Sequence, residues 1–313
     1  MKLRLASVCL GVLLTSAGPA LTQAATAADT EGAGTTAAAT CTAGSYATTL
    51  VNGDQADVYY PEPAPAGGSP VVAFLQGGNA DKSLYSGYSR ELACAGYVVV
   101  VPNHYLGSQL ISSENVVNAV LATMKQADAG QTPVAGAVDT RVLGVAGHSV
   151  GGAAGLFAID DAVCSFPFCL GFNRRPAELK AVAAYGTSTV DPFSRQLIDV
   201  DSTGVPVALI HGTNDQRADI GNSRATYGIL ETPKAFVTID GLNHWGIADV
   251  NNPPPSDRTL DPGVQTRARE WGIAKTAKAT RLWFDAYLKG DPGALHQLRG
   301  DINDASFTVD LQE

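Results

Sequence analysis

The chain has 313 residues, 45% hydrophobic and 16% charged, with 21 Lys and Arg against 30 Asp and Glu for a formal net charge of −9. That is length enough to bury a substantial core, in one large or two small domains. An acidic chain with no basic cluster is a poor match for nucleic acid, so no nucleic-acid partner is expected.

Met1-Lys2-Leu3-Arg4 is a basic start to an apolar run over residues 5–14, and small residues follow at 24–28. This pattern predicts a secretory signal peptide over residues 1–28, with export to an extracellular or periplasmic compartment. No later run of about 18 apolar residues appears, so no integral membrane segment is expected. Cleavage removes Lys2 and Arg4 and no acid, which takes the formal net charge from −9 to −11. Cys41, Cys94, Cys164 and Cys169 then remain, and an even count after export favours two disulfides. Three connectivities are possible, and the expected one pairs Cys164 with Cys169, closing the short loop 165–168, and Cys41 with Cys94. No cysteine or histidine pair has zinc-site spacing, so no metal is expected.

Residues 29–44 are rich in Ala, Thr and Gly and aperiodic, which predicts a flexible leader to a single domain over 45–313. Residues 46–51 and 56–60 flank Asn52-Gly53-Asp54, a hairpin turn signal between two opening strands. Residues 71–75 read as a buried strand ending at Gln76-Gly77-Gly78-Asn79, followed by a helix over 83–95 and a β-branched strand over 97–101. Val116, Val117, Val120, Leu121 and Met124 recur at helical spacing within 113–127. Residues 142–146 form another buried strand, which breaks into Gly147-His148-Ser149-Val150-Gly151. Further strands are expected over 181–185, 205–211 and 235–239, and a long amphipathic helix over 264–288. Strands alternating with helices in this way predict an α/β fold, a doubly wound and mostly parallel sheet covered on both faces. The turn at 147–151 is an elbow into a further expected helix, and only about 20 residues, 160–180, separate that helix from the next strand, too few for a large cap domain.

Gly147 to Gly151 fit the G-x-S-x-G turn that lifts a serine hydroxyl to the top of a sheet, where glycines two before and two after relieve the crowding. Acyl transfer by such a serine needs a base, and an acid to orient that base. In a doubly wound sheet these groups collect at the carboxyl ends of strands. Asp215 follows the strand 205–211, and His244 follows the strand 235–239. His104, His148, His211 and His296 lie on a loop, inside the elbow, in the core and in the tail, while Asp219 starts a helix and Asp240 sits in a turn. The candidate triad is therefore Ser149, Asp215 and His244. Donors to the oxyanion are expected from the N–H of Val150, which opens a helix, and of Gly78 in the loop after 71–75. Trp245 and Tyr105 are candidates to line the substrate cleft.

These stretches carry a resemblance. Phe74-Leu75-Gln76-Gly77-Gly78, the run from Tyr97 to Asn103, the elbow, Gly212-Thr213-Asn214-Asp215 and Asn243-His244 resemble the α/β-hydrolase superfamily over about residues 45–290. Within it the chain is most similar to the branch holding chlorophyllases, dienelactone-hydrolase-like enzymes and bacterial cutinases (polyester hydrolases). The resemblance implies a compact, nearly lidless carboxylic-ester hydrolase that needs no cofactor. Gln76 stands where that branch commonly has His or Pro, and Gly78 where a bulkier residue is common. Polyester hydrolases usually carry methionine at the position of Val150, and a tryptophan just after the strand that ends at 185. Neither is here, which argues against aromatic polyesters.

The expectation is a secreted, monomeric serine carboxylesterase acting on short- to medium-chain esters, with polymer and lipid esters among the candidates. The rivals are an acyltransferase or peptidase with the same triad, and a non-catalytic binding module on a hydrolase scaffold.

Overall fold

The computed structural model describes residues 41–160, 174–254, 260–300 and 305–313. The expected signal peptide, most of the leader and the Cys164–Cys169 pair lie outside the described residues. Residues Cys41–Glu313 form one compact unit. None of its described helices is long and apolar enough to cross a membrane.

Two antiparallel strands, β1 (Thr42–Thr49) and β2 (Gln55–Glu62), open the fold around the expected Asn52-Gly53-Asp54 turn. β1 begins at Thr42, inside the stretch expected to be leader. Cys41 is bonded to Cys94, so the expected disulfide joins the first described residue to the end of a helix. The next strands are β3 (Ser69–Leu75) and β4 (Val98–Asn103), every residue of both buried. A short hairpin, β5 (Tyr105–Leu106) with β6 (Gln109–Leu110), follows β4. β7 (Val138–His148), β8 (Leu179–Tyr185), β9 (Val207–Gly212), β10 (Lys234–Ile239) and β11 (Phe307–Gln312) complete the set.

The main sheet has nine strands in the order β1-β2-β4-β3-β7-β8-β9-β10-β11. From β4 to β10 all neighbours run parallel, and β1, β2 and β11 are antiparallel edges. The runs Val71-Val72-Ala73-Phe74-Leu75 and Val98-Val99-Val100-Val101 suit this interior, since a strand covered on both faces has no need of polar alternation.

Two apolar layers, one on each face, result from the helices. On one face lie α2 (Asn115–Ala129), α3 (Val150–Phe157) and α4 (Ile220–Ile229), through Val116, Val120, Met124, Leu156 and Tyr227. On the other lie α1 (Ser86–Cys94), α5 (Arg269–Leu288) and α6 (Pro292–Gly300), through Tyr88, Leu92, Ile273, Trp283, Phe284 and Leu298. The helix expected over 83–95 is a 3-10 turn, Lys82–Tyr85, leading into α1. It stops at Gly96, whose φ of 91° lets the Tyr97 N–H return to the Leu92 carbonyl. The long final helix starts at Arg269 rather than 264, because Asp261-Pro262-Gly263 folds as a turn against the loop after β9. Beyond residue 288, where no element is expected from the sequence, the chain forms α6 and then β11 on the edge of β10.

Candidate active site

β7 ends at His148 and α3 begins at Val150, which leaves Ser149 alone at the turn with φ 54° and ψ −124°. A side chain there is strained, and such strain persists only where neighbours enforce it. Here they do. A Cβ at position 147 would sit 2.6 Å from the Gly151 carbonyl oxygen, and one at 151 would run into the carbonyl oxygens of Leu75 and Gln76. The Ser149 N–H donates to the Tyr185 carbonyl at 2.9 Å, tying the turn to β8.

Asp215 follows β9 and His244 follows β10, and the two meet. His244 Nδ1 lies 2.8 Å from Asp215 Oδ2, with both side chains almost wholly buried. Asp215 Oδ1 accepts the N–H groups of Arg217 at 2.9 Å and Ala218 at 2.7 Å, so the carboxylate is locked from its far side. His211 also approaches, with Nε2 at 3.7 Å from Asp215 Oδ2, but it donates to the Ala218 carbonyl. Burial lowers the pKa of the His211 ring. The two rival aspartates are spent elsewhere. Asp219 caps α4 by accepting the Asn222 N–H, and Asp240 pairs with Arg267 at the surface.

Two supports of this arrangement were not foreseen from the sequence. The first is Asp261, 3% exposed, whose carboxylate accepts the N–H of His244 at 2.6 Å, of Gln216 at 3.1 Å and of Gly263 at 2.8 Å. It therefore clamps the loop bearing Asp215 to the loop bearing His244. An Asp-Pro-Gly tripeptide reads as a turn, and nothing local signals a partner 17 residues away.

The second is a buried chain from the loop after β3 to the His244 loop. The Gly77 N–H donates to the Tyr85 hydroxyl at 2.9 Å, and that hydroxyl lies 3.0 Å from His148 Nδ1. His148 Nε2 lies 2.9 Å from the His244 carbonyl. Burial, and His244 beside it, hold His148 well below the usual imidazole range, so the ring is neutral and carries one proton. Only one assignment satisfies every partner: Tyr85 donates to Nδ1, and the Nε2 proton goes to the His244 carbonyl. Removing the hydroxyl in Tyr85→Phe leaves a buried amide and a buried ring nitrogen unpaired. The expected loss is about 1–3 kcal/mol in urea unfolding, and an unchanged midpoint would refute this account of the chain.

Ser149 and His244 border the same two cavities. One, of about 380 Å³, extends along Ala153, Phe157 and the loop 186–198. The other, of about 640 Å³, is bordered by Gly78, Asn79, Gln109, Ile111, Phe193 and Trp245. Among the described residues the Ser149 hydroxyl makes no hydrogen bond, and contacts of this kind commonly tighten only around substrate. Val150, as the first residue of α3, has no intrahelical acceptor for its N–H. The Gly78 N–H has no partner among the described residues, whereas Asn79 donates to the Leu110 carbonyl. A Cβ on Gly78 would lie 3.3 Å from Val150 Cγ2, so Gly78 packs against the Val150 side chain next to Ser149.

Of the residues expected to line the cleft, Trp245 borders the larger cavity but is only 2% exposed, stacked edge-on against His148 and His244. Tyr105 stands 54% exposed on β5 and borders neither cavity. Its hairpin reaches the cavity through Gln109, and Ile111 follows it there. Among the described residues no cluster of His, Cys, Asp or Glu has a metal-binding arrangement. In comparisons with known proteins, no family model and no curated protein matches this chain.

Proposed function

We propose that the protein is an exported serine carboxylesterase with the α/β-hydrolase fold, related to the chlorophyllase, dienelactone-hydrolase-like and bacterial cutinase branch. The observation that carries this reading is the buried 2.8 Å Asp215–His244 pair opening on the cavities that hold Ser149 at its positive-φ turn. Strand order supports the fold, since the elbow follows a central parallel strand, and Asp215 and His244 follow β9 and β10 beyond it. The Cys41–Cys94 disulfide supports export, because such bonds persist in oxidising compartments.

In this mechanism His244 Nε2 takes the Ser149 proton as Oγ attacks the ester carbonyl. Asp215 accepts the Nδ1–H and stabilises the imidazolium that forms. The Gly78 and Val150 N–H groups receive the oxyanion. Collapse breaks the C–O bond, and His244 returns the proton to the departing alcohol. Water, deprotonated by His244, then attacks the acyl-enzyme, and the free acid leaves as Ser149 recovers its proton. The substrates are short- to medium-chain esters, polymer and lipid esters among them.

Covalent labelling tests this directly. A fluorophosphonate is expected to attach to one residue, Ser149 by peptide mass spectrometry, and to abolish p-nitrophenyl butyrate hydrolysis in step with labelling. Ser149→Ala should take up no label. Label on another residue, or hydrolysis that survives full labelling, would overturn the assignment.

A further inference from the structure

We propose that the preferred ester carries a carboxylate besides its scissile bond, and that Arg217 and Arg195 select for that group. This rests on the esterase reading and adds its substrate class.

The two cavities share four residues, Ser149, Val150, His244 and Arg217. Arg217 is thus the cationic side chain common to both spaces beside the serine. Arg195 borders the smaller cavity from the opposite loop. Neither guanidinium has a hydrogen bond, ion pair or ring contact among the described residues. By contrast Arg141, Arg267 and Arg281 are each paired with an aspartate.

Two carboxylates border the same cavity and do not engage these arginines. Asp191 Oδ1 accepts the Phe193 and Ser194 N–H groups at 2.8 and 2.7 Å, and Asp219 Oδ1 accepts the Asn222 N–H at 3.1 Å. The wall is therefore balanced in formal charge but has ten guanidinium N–H donors unspent, at five per arginine. What complements it is an acceptor-only group with the planar geometry of the guanidinium fork, which is a carboxylate.

Arg195 is also held in place. Its φ is 60°, which a non-glycine residue adopts at a cost. The turn that imposes this is closed by the Arg195 N–H to the Asp191 carbonyl at 3.0 Å and the Asp191 N–H to the Gln196 carbonyl at 2.8 Å. The same turn carries Phe193, 83% exposed at the rim of the larger cavity.

The carboxylate could belong to the acyl part or to the alcohol part of the ester, and two substrate pairs separate these. Monomethyl adipate against dimethyl adipate places the charge on the acyl side. 4-Acetoxybutanoate against its methyl ester places it on the leaving group. The readout is the ratio of kcat/KM, anionic over neutral, in wild type and in the Arg195→Gln/Arg217→Gln double variant. Both arginines are exposed, so the substitutions leave the core untouched.

In at least one pair the ratio is expected to fall about three- to tenfold in the variant, as fits exposed charge pairs. The wild-type ratio should also fall as salt rises from 0.05 to 0.5 M. A ratio within twofold of wild type in both pairs overturns the carboxylate proposal while leaving the esterase intact. No hydrolysis of any of the four esters by wild type overturns the esterase reading itself.

Discussion

Asp215→Asn is expected to lower kcat by roughly 10³- to 10⁴-fold with little change in KM, the range known for the equivalent change in serine proteases. The geometry gives a specific reason. Oδ1 of Asp215 accepts two backbone N–H groups, from Arg217 and Ala218, at 2.9 and 2.7 Å. In the asparagine variant only the amide oxygen can satisfy those donors, so the amide is oriented with its NH₂ at the place of Oδ2. That NH₂ then points at His244 Nδ1, now 2.8 Å from a carboxylate oxygen. The ring must turn Nδ1 into an acceptor and carry its proton on Nε2, the nitrogen required to take the serine proton. The backbone need not move, so unfolding midpoints should stay close to wild type. Asp215→Ala imposes no tautomer and should retain more activity than Asp215→Asn. Steady-state rates on p-nitrophenyl butyrate decide the matter, and an asparagine variant faster than the alanine variant would sink the tautomer argument.

The parts of this arrangement that could be read from sequence share one property: each is announced by its own neighbours. The buried strands are unbroken β-branched runs, and the elbow is bracketed by glycines whose absent side chains are required by contacts under 3 Å. Asp215 and His244 were found because a polar residue just past an apolar strand has few places to go in a doubly wound sheet. The Cys41–Cys94 bond was expected as part of one of the three connectivities that an even cysteine count and an expected export allow.

What escaped was nonlocal. Tyr85 looks like one more apolar residue at the start of a helix, yet its hydroxyl joins the Gly77 loop to His148. Asp261 has the look of a turn former, yet it is the clamp between two loops. Tyr105 was a candidate for the cleft, but the β5–β6 hairpin leaves it exposed to solvent and brings Gln109 to the cavity instead. The β11 edge was missed because its residues Phe307 to Gln312 gain an identity as a strand only by pairing with β10.

Glu114→Gln is expected to stabilise the protein above neutral pH by roughly 3 kcal/mol and to leave it unchanged near pH 4, because burial raises the glutamate pKa to about 7 in the folded chain. Glu114 stands at the start of α2, fully buried, and neither carboxyl oxygen has a hydrogen-bond partner. Burial pushes its pKa from 4.5 up to about 7, although the helix N-terminus beside it favours an anion. Below pH 4.5 folded and unfolded chains both hold the proton, and the group contributes nothing to the pH dependence. As pH rises the unfolded chain releases it first, so the native state loses stability steadily until its own carboxyl ionises near 7. Above that pH the cost is complete and constant. Glutamine keeps the shape and stays neutral, so its advantage over wild type should open between pH 4.5 and 7.

The residues just before Glu114 connect the start of α2 to the site. Ser112 Oγ donates to Gln76 Oε1 at 2.5 Å, and Gln76 Nε2 donates to the His104 carbonyl at 3.2 Å. Ser113 Oγ lies 3.1 Å from His104 Nε2. Gln76 immediately precedes Gly77 and Gly78, so the chain entering α2 at Glu114 is bonded to the support of the loop proposed to hold the oxyanion. Urea unfolding of both proteins at pH 4, 6 and 8 gives the test. A stability difference that stays constant across the three would show that Glu114 does not titrate in this window.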